Sequence, residues 1–313
     1  MTILVLAGGL SPERDVSIRS GRRVADALRA AGVDTVERDV DASLLAELVA
    51  FRPRAVIPLL HGAAGEDGAL RDVLESLDLA YVGSRAQACR LAFDKPVAKT
   101  LIRRAGGRTP DAVALPHATF RDLGAPALLE ALVRRIGLPL VVKPTKGGSA
   151  LGAAVVRTAA ELPAAMVGAF AYGDVALVEQ FIAGTELAVS VLDNGSGPVA
   201  LAPVEVVPDG GFYDYAARYT AGTTEFFVPG RLPEAVLAQA AEVAVLAHTT
   251  LGLRDWSRSD VVVDAAGDVW FLEVNVAPGM TETSTYPLAL GGSGRDVGAV
   301  MAALVERAVA RLP

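Results

Sequence analysis

Hydrophobic positions in the first ninety residues switch repeatedly between a short continuous run and a helical period. Ile3–Ala7 is apolar and partly β-branched and stops at Gly8-Gly9, which reads as a buried strand. Val16, Ile18, Val24, Ala25 and Leu28 recur at helical spacing across Val16–Ala31, and the pattern ends at Gly32. The rhythm continues with a strand at Thr35–Arg38, a helix at Ala42–Phe51, a strand at Ala55–Leu59, a helix at Asp67–Leu77 and an extended stretch at Ala80–Val82. Strand–helix alternation of this kind predicts a parallel sheet with helices on its faces. Ligands of such sheets bind beyond the C-terminal ends of the strands, and Glu13 and His61 both follow strands, so both can face one crevice.

The pattern changes after residue 93. Helices are expected at Lys95–Arg104, Pro126–Ile136 and Ala159–Ala169, with strands at Val113–Leu115, Leu138–Lys143, Ala153–Val156 and Ala176–Glu179. From Glu186 onward the strands lengthen: Glu186–Val191, Val204–Val207, Ser257–Val263 and Asp268–Val274, with helices at Pro233–Leu251 and Val297–Arg311. A chain of 313 residues exceeds a typical single core. Two or three domains are therefore expected, with changes of pattern near residues 93 and 184.

Composition narrows the function. The net charge of −7 argues against a nucleic-acid binder, which usually carries a basic face. Cys89 is the only cysteine, so no intramolecular disulfide can form, which suits a reducing cytoplasm; it reads as a small buried hydrophobe. The apolar N-terminus has no basic segment before it and soon meets Glu13, Arg14 and Asp15, so it reads as a strand and not a signal peptide. No run approaches the roughly 18 apolar residues of a membrane span. Of 29 basic residues only Lys95, Lys99, Lys143 and Lys146 are lysines, and all lie in the middle third. Lysine is a compact point charge suited to phosphate; chance clustering is the other explanation.

The strongest chemical pattern is Arg258-x-Asp260 with Glu273-x-Asn275. Spacing by two puts each pair on one face of its strand. If Ala266-Gly267 is a two-residue hairpin turn, Asp260 faces Glu273 and Arg258 faces Asn275. Two carboxylates and an amide so clustered are oxygen donors for a hard cation such as Mg²⁺, and Arg258 could neutralise a transferring phosphoryl group. A solvated sheet face with cross-strand pairs is the plainer alternative. The segment Lys146-Gly147-Gly148-Ser149-Ala150-Leu151-Gly152 matches neither G-x-x-x-x-G-K-[ST] nor G-x-G-x-x-G; it can cover phosphates with backbone N–H groups, or be an ordinary flexible turn. Alone, Glu13 could be a helix N-terminal acid and His61 a loop histidine, while His117 and His248 look unremarkable.

Taken in order, these pieces resemble the ATP-grasp superfamily, specifically the D-alanine–D-alanine ligase family. The resemblance runs from about residue 3 to 306. It is carried by Ala7-Gly8-Gly9-Leu10-Ser11-Pro12-Glu13-Arg14-Asp15-Val16-Ser17, by His61-Gly62-Ala63-Ala64-Gly65-Glu66-Asp67-Gly68, and by Asp94-Lys95 and Val142-Lys143-Pro144. It continues through Val178-Glu179-Gln180-Phe181-Ile182, Gly184-Thr185-Glu186, the aromatic loop Phe212–Tyr219, Arg258-Ser259-Asp260, and Leu272-Glu273-Val274-Asn275 with Val276-Ala277-Pro278-Gly279-Met280-Thr281.

The resemblance implies an α/β fold of three domains, a parallel Rossmann-like α/β unit at 1–93 and two α+β ATP-grasp units at 94–184 and 185–313. It implies an ATP-dependent ligation of two D-alanines through an acyl-phosphate, for peptidoglycan precursor synthesis. Glu13, helped by His61, would hold the first substrate's ammonium, and Ser149 and Tyr219 would link that site to closing loops. Lys95 and Lys143 would bind ATP phosphates, Arg218 would belong to the nucleotide site, Glu179, Phe181 and Ile182 would meet adenine, and Glu186 the ribose. Asp260, Glu273 and Asn275 would carry two Mg²⁺ (or Mn²⁺) ions; Arg258 and the Gly279 N–H would stabilise an oxyanion; Ser284 and Thr285 would meet the second substrate. It further implies a cytoplasmic homodimer without nucleic-acid or membrane partners. Arg218 stands where the family usually has lysine, and Thr285 where leucine is usual. These departures keep a specialised paralogue open, a ligase or cyclase on another amino acid, for example in antibiotic biosynthesis. Tyr219 in place of histidine argues against a D-lactate-using relative.

Overall fold

The structure, a computed structural model, describes residues 2–213, 215–220 and 222–312; the side chains of Ala216 and Tyr219 are outside that description. The architecture is mixed α/β, and the described residues form three sheets. The first, β1 (Ile3–Leu6), β2 (Thr35–Arg38) and β3 (Ala55–Pro58), is parallel in the order β2-β1-β3. Its central strand Ile3-Leu4-Val5-Leu6 is buried on both faces, which is why it reads as a continuous apolar run. Tyr81 extends the sheet through one parallel bridge to Val56. The expected parallel arrangement is therefore found, with the loops after β1 and β3 opening at one end.

The second sheet is antiparallel, in the order β4 (Ala112–Pro116), β7 (Val175–Gln180), β5 (Leu140–Pro144), β6 (Ala154–Val156). It has its own core, with Leu132, Leu140, Val142, Leu162, Met166 and Val178 packed together. The third sheet runs β11 (Thr224–Phe227), β10 (Val204–Pro208), β8 (Gly184–Asp193), β12 (Trp256–Asp264), β13 (Val269–Asn275), with β9 (Pro198–Ala200) on β8.

The cores do not follow chain order. The helices Ala86–Phe93 and Lys95–Arg104 pack on β13 and on the helix Glu234–Thr250. The C-terminal helix Val297–Ala310 returns to the first sheet and its helix Arg14–Ala30. One continuous cluster thus joins Ile3, Val5 and Ile57 to Trp256, Tyr286 and Met301. Each fully buried large apolar side chain in it contributes on the order of 1.5–3 kcal/mol, so the first and third sheets are held as neighbours by shared core. Most expected elements appear within a few residues, the helix Lys95–Arg104 among them. The short helices Ala63–Glu66, Ala86–Phe93, His117–Leu123 and Thr285–Gly292, and strands β9 and β11, were not foreseen. The helix Thr285–Gly292 contains Pro287 and ends in two glycines, so its propensity is poor; burial of Tyr286, Ala289 and Leu290 stabilises it instead.

Candidate active site

The Arg258–Asn275 hairpin has the expected cross-strand pairs, reached by a different route. Arg258 faces Asn275 and Asp260 faces Glu273. The turn, however, is a three-residue loop, Ala265-Ala266-Gly267, closed by Asp264 N–H donating to Asp268 O (3.1 Å), with Gly267 at φ +86°. This three-residue loop moves the register by one, so Val261 faces Phe271. A bulge at Leu272, between the Asp260–Glu273 and Val261–Phe271 pairs, moves it back. The two offsets cancel where the polar residues sit. Arg258 grips Asp260 with both arms of its fork, Nε to Oδ1 at 2.7 Å and Nη2 to Oδ2 at 2.9 Å. Burial opposes the Arg258 charge, but Asp260 and Glu273 outweigh it and raise its pKa. Burial likewise opposes the Glu273 carboxylate, yet Lys95, Lys143, Arg218 and Arg258 prevail and hold it ionised, with a pKa of about 2. Asn275 Oδ1 accepts from Ala277 N–H (2.7 Å), which fixes the turn leading to Gly279.

A second corner forms where the first sheet meets the glycine-rich loop. Glu13 immediately precedes the helix Arg14–Ala30 and is buried, and the Ser149 hydroxyl donates to its Oε1. Ser149 and Ala150 both sit at φ +55°, an unusual backbone for residues with a β-carbon; this tight turn is what delivers the hydroxyl across from β5. Gly148 leaves room for the Glu13 carboxylate, since a β-carbon there would come 2.8 Å from Glu13 Oε1 and displace it. Burial raises the Glu13 pKa, and the Ser149 hydrogen bond, Arg218 and Lys95 oppose that rise. His61 lies behind this corner. Its Nδ1–H donates to Ala277 O (3.0 Å), because a carbonyl can only accept, so Nε2 carries the lone pair facing Ser20 Oγ at 3.4 Å. Burial lowers the His61 pKa to about 4, keeping the ring neutral.

The lysines form the third group. Asp94 caps the helix Lys95–Arg104 by accepting from Val97 N–H, and Lys95 and Lys99, four apart, share its buried face. Lys95 Nζ donates to Gly147 O at 2.7 Å and stands 3.4 Å from Glu273 Oε2. Lys143, on β5, reaches Glu179 Oε1 at 2.6 Å, and Lys99 reaches Oε2 of the same carboxylate at 2.8 Å. Glu179 is 2% exposed and held between two cations. Burial lowers the Lys99 pKa to about 8 despite Glu179. Lys146 is mostly exposed and pairs with Asp94 at 3.7 Å.

One cleft gathers every expected residue that is described: Glu13, His61, Lys95, Lys143, Ser149, Glu179, Phe181, Ile182, Glu186, Arg218, Arg258, Asp260, Glu273, Asn275, Gly279, Ser284 and Thr285. The Tyr219 side chain lies outside the described residues. Arg218 stacks 4.2 Å over the Tyr213 ring, and Tyr213 meets Phe226 edge-on, so part of the aromatic loop is packed against β11. Ser284 Oγ accepts from Thr281 N–H (3.0 Å), and the Thr285 hydroxyl is buried with no hydrogen-bond partner among the described residues.

Sequence reasoning left two residues without a role. Lys99 was marked only by the lysine cluster. Glu66 was marked only by its place in the His61–Gly68 motif; it accepts from Gly62 N–H, and burial pushes its pKa up to about 8. Glu186, raised by burial to about 7, is half-ionised near neutrality. Among the described residues, six basic and six acidic side chains line the cleft. With Glu66 protonated and Glu186 partly so, the described lining is net positive within a chain of charge −7, a field suited to a polyphosphate anion.

The family model for the D-ala D-ala ligase C-terminus matches residues 101–306. The chain belongs to the D-alanine–D-alanine ligase family. It is 43% identical over 293 residues to a D-alanine–D-alanine ligase from Anaeromyxobacter sp. (strain K), covering 93% of this chain and 92% of the relative. It is 40% identical over 308 residues to the one from Bordetella petrii, covering 98% and 92%. Among solved structures, the VanG D-Ala:D-Ser ligase from Enterococcus faecalis superposes with a TM-score of 0.85 at 25% identity, covering 98% of this chain and 99% of that one. The D-alanine–D-alanine ligase from Bacillus anthracis complexed with ATP gives 0.81 at 27% identity, covering 99% and 98%. Membership in this family makes the chain an ATP-using ligase, and the mixed α/β fold is the family's. Among the described residues no single helix is long and apolar enough to cross a membrane.

Proposed function

We propose that this chain joins two D-alanines into D-alanyl-D-alanine at the expense of ATP, as a step in peptidoglycan precursor synthesis. The observation that carries the reading is the convergence of the Glu13–Ser149 corner, the lysine group and the Arg258–Asn275 hairpin on one net-positive cleft. In this reading the carboxylate of the first D-alanine attacks the γ-phosphate, ADP leaves, and the amine of the second D-alanine attacks the resulting acyl-phosphate and releases phosphate. Glu13 receives the first ammonium, with the neutral His61 ring shaping the wall behind it. Lys95 and Lys143 attract phosphate oxygens. The Glu179 carboxylate is already engaged by Lys99 and Lys143, so contact with a base falls to the chain after it, at Phe181 and Ile182, and Glu186 takes the ribose. Arg258 and the Gly279 N–H face the carbonyl oxygen as it gains charge, and Ser284 and Thr285 border the second amino acid. Positioning and charge neutralisation supply most of the acceleration.

Asp260, Glu273 and Asn275 fit divalent cations of the Mg²⁺ type. They are oxygen donors on facing positions of one hairpin, and the depressed Glu273 pKa keeps that carboxylate charged at neutral pH. Two such ions, Mg²⁺ or Mn²⁺, would supply charge neutralisation on the phosphates. We further propose three domains at 1–93, 94–184 and 185–313, a homodimer, and a cytoplasmic location; one sheet within each segment supports the division. Phosphate release with single and paired D- and L-amino acids, products identified by mass spectrometry, tests the reading. Turnover with D-alanine alone, yielding D-alanyl-D-alanine, is the expected result. Inert D-alanine together with turnover on D-serine or another acceptor would overturn it and point to the segment around Thr285.

A further inference from the structure

Behind the cleft, where the first sheet meets β12, lies a buried charge without a partner. Arg71, on the helix Ala69–Ser76, is 1% exposed, and its Nε and Nη1 have no hydrogen-bond acceptor among the described residues. A guanidinium does not shed its proton inside proteins, and a buried unpaired charge is strongly unfavourable. The Nε1–H of the fully buried Trp256 is likewise without an acceptor. Both side chains border the same small space. A β-carbon on Gly83 would have two neighbours within 4 Å beyond the adjoining chain, Trp256 Nε1 at 3.5 Å and Arg71 Nη2 at 3.8 Å, and both are donor nitrogens.

The surrounding charges do not balance. Asp255 is fully buried, but its carboxylate is taken by Arg311, at 2.6 and 2.8 Å, and by Gly83 N–H at 2.7 Å. Arg254 is also drawn in: it donates to Gly83 O and stacks 4.7 Å over the Tyr81 ring. Glu75 accepts from the Tyr81 hydroxyl, and Asp72 pairs with Arg90. Three arginines therefore lie around one buried carboxylate, and Arg71 has no counter-charge among the described residues.

We infer that the space at Gly83 binds a small monovalent inorganic anion of the chloride type, held by Arg71 and the Trp256 Nε1–H. A water molecule could accept from the same donors but would leave the guanidinium charge uncompensated. Glycine at position 83 keeps the space open, and Trp256 opens the strand that carries Arg258 and Asp260. The anion is thus a structural counter-ion joining the first sheet to the third.

Two measurements test this on the full chain. Crystals in which bromide replaces chloride should show an anomalous peak in contact with Arg71 and Trp256 Nε1; ordinary water density with no anomalous signal overturns the inference. In solution, Trp270→Phe leaves Trp256 as the sole tryptophan. Iodide should quench its emission saturably although the ring is buried, and the thermal midpoint should rise in chloride relative to gluconate at equal ionic strength. Adding Arg71→Gln should abolish both responses while D-alanine-dependent phosphate release persists. Linear, weak quenching together with a midpoint indifferent to chloride in the Trp270→Phe protein sinks the proposal even if the Arg71 variant fails to fold.

Discussion

Replacing Glu179 with glutamine probes the lysine clamp beneath the cleft. The substitution keeps the shape of the side chain but removes the charge that Lys143 and Lys99 share at 2.6 and 2.8 Å. Removing one partner of a buried pair costs about 3–5 kcal/mol. Part of that is recoverable here, because Lys99, still mostly charged at pH 7, can be discharged at modest cost. Its folded pKa is about 8 against 10.5 in the free side chain, so discharging it at pH 7 costs about 1.4 kcal/mol. Without Glu179 its pKa falls further, and the neutral amine can accept from the new amide. The expected loss at pH 7 is therefore about 3 kcal/mol, a large share of a typical folding stability. The sign with pH follows from the same shift. A lysine whose folded pKa is depressed is bound to more protons in the unfolded chain, so stability rises with pH between the folded and unfolded values. In the natural protein that rise begins near pH 8; in the variant it begins below 7. The penalty should shrink by roughly 1 kcal/mol between pH 7 and pH 8. Denaturant unfolding followed by tryptophan emission at the two pH values reads both numbers. A loss under about 1 kcal/mol at pH 7, or a penalty that grows toward pH 8, would refute the clamp.

Other expectations concern acid stability and the two corners of the site. His61 and His248 are both neutral, with burial lowering each pKa to about 4 from 6.5. Stability should fall as pH drops through 6.5 and level off near 4, by about 3 kcal/mol per histidine, because the unfolded chain takes up the protons first. His248→Gln, removing the ring whose Nδ1 contacts Ser257 Oγ at 2.8 Å, should reduce proton uptake on unfolding at pH 5 by about one; an unchanged slope contradicts the assignment. Glu273→Gln should cut ADP release at least about a hundredfold if its carboxylate holds the cations that neutralise the transferring phosphate, with the thermal midpoint reporting separately on folding. Gly148→Ala should lower kcat/KM for the first D-alanine about tenfold or more by displacing Glu13 Oε1, while shifting stability by less than about 1 kcal/mol. Equal kcat/KM in that variant would show that the approach of the loop to Glu13 is unimportant.

Much of this molecule is legible in its residues alone. The alternation of apolar runs and helical periods up to residue 82 specifies a parallel sheet, because a strand buried on both faces has no polar positions to show. The two-residue spacings Arg258-x-Asp260 and Glu273-x-Asn275 place four polar groups on one sheet face by strand geometry alone. The ordered motifs from Glu13 to Thr281 carried the family, and with it the membership of the cleft. Folding decided the rest. The hairpin's three-residue loop and the bulge at Leu272 displace the register in opposite directions, and no local rule anticipates that cancellation. The return of the helix Val297–Ala310 to the first sheet, and of Lys95–Arg104 to the third, depends on which faces find apolar partners, which a linear pattern does not record. The pairing of Glu179 with lysines 80 and 36 positions away, the protonation of Glu66 and the unpartnered Arg71 are likewise set by burial. Charge state responds to what surrounds a group in space, and those surroundings exist only once the three sheets have come together.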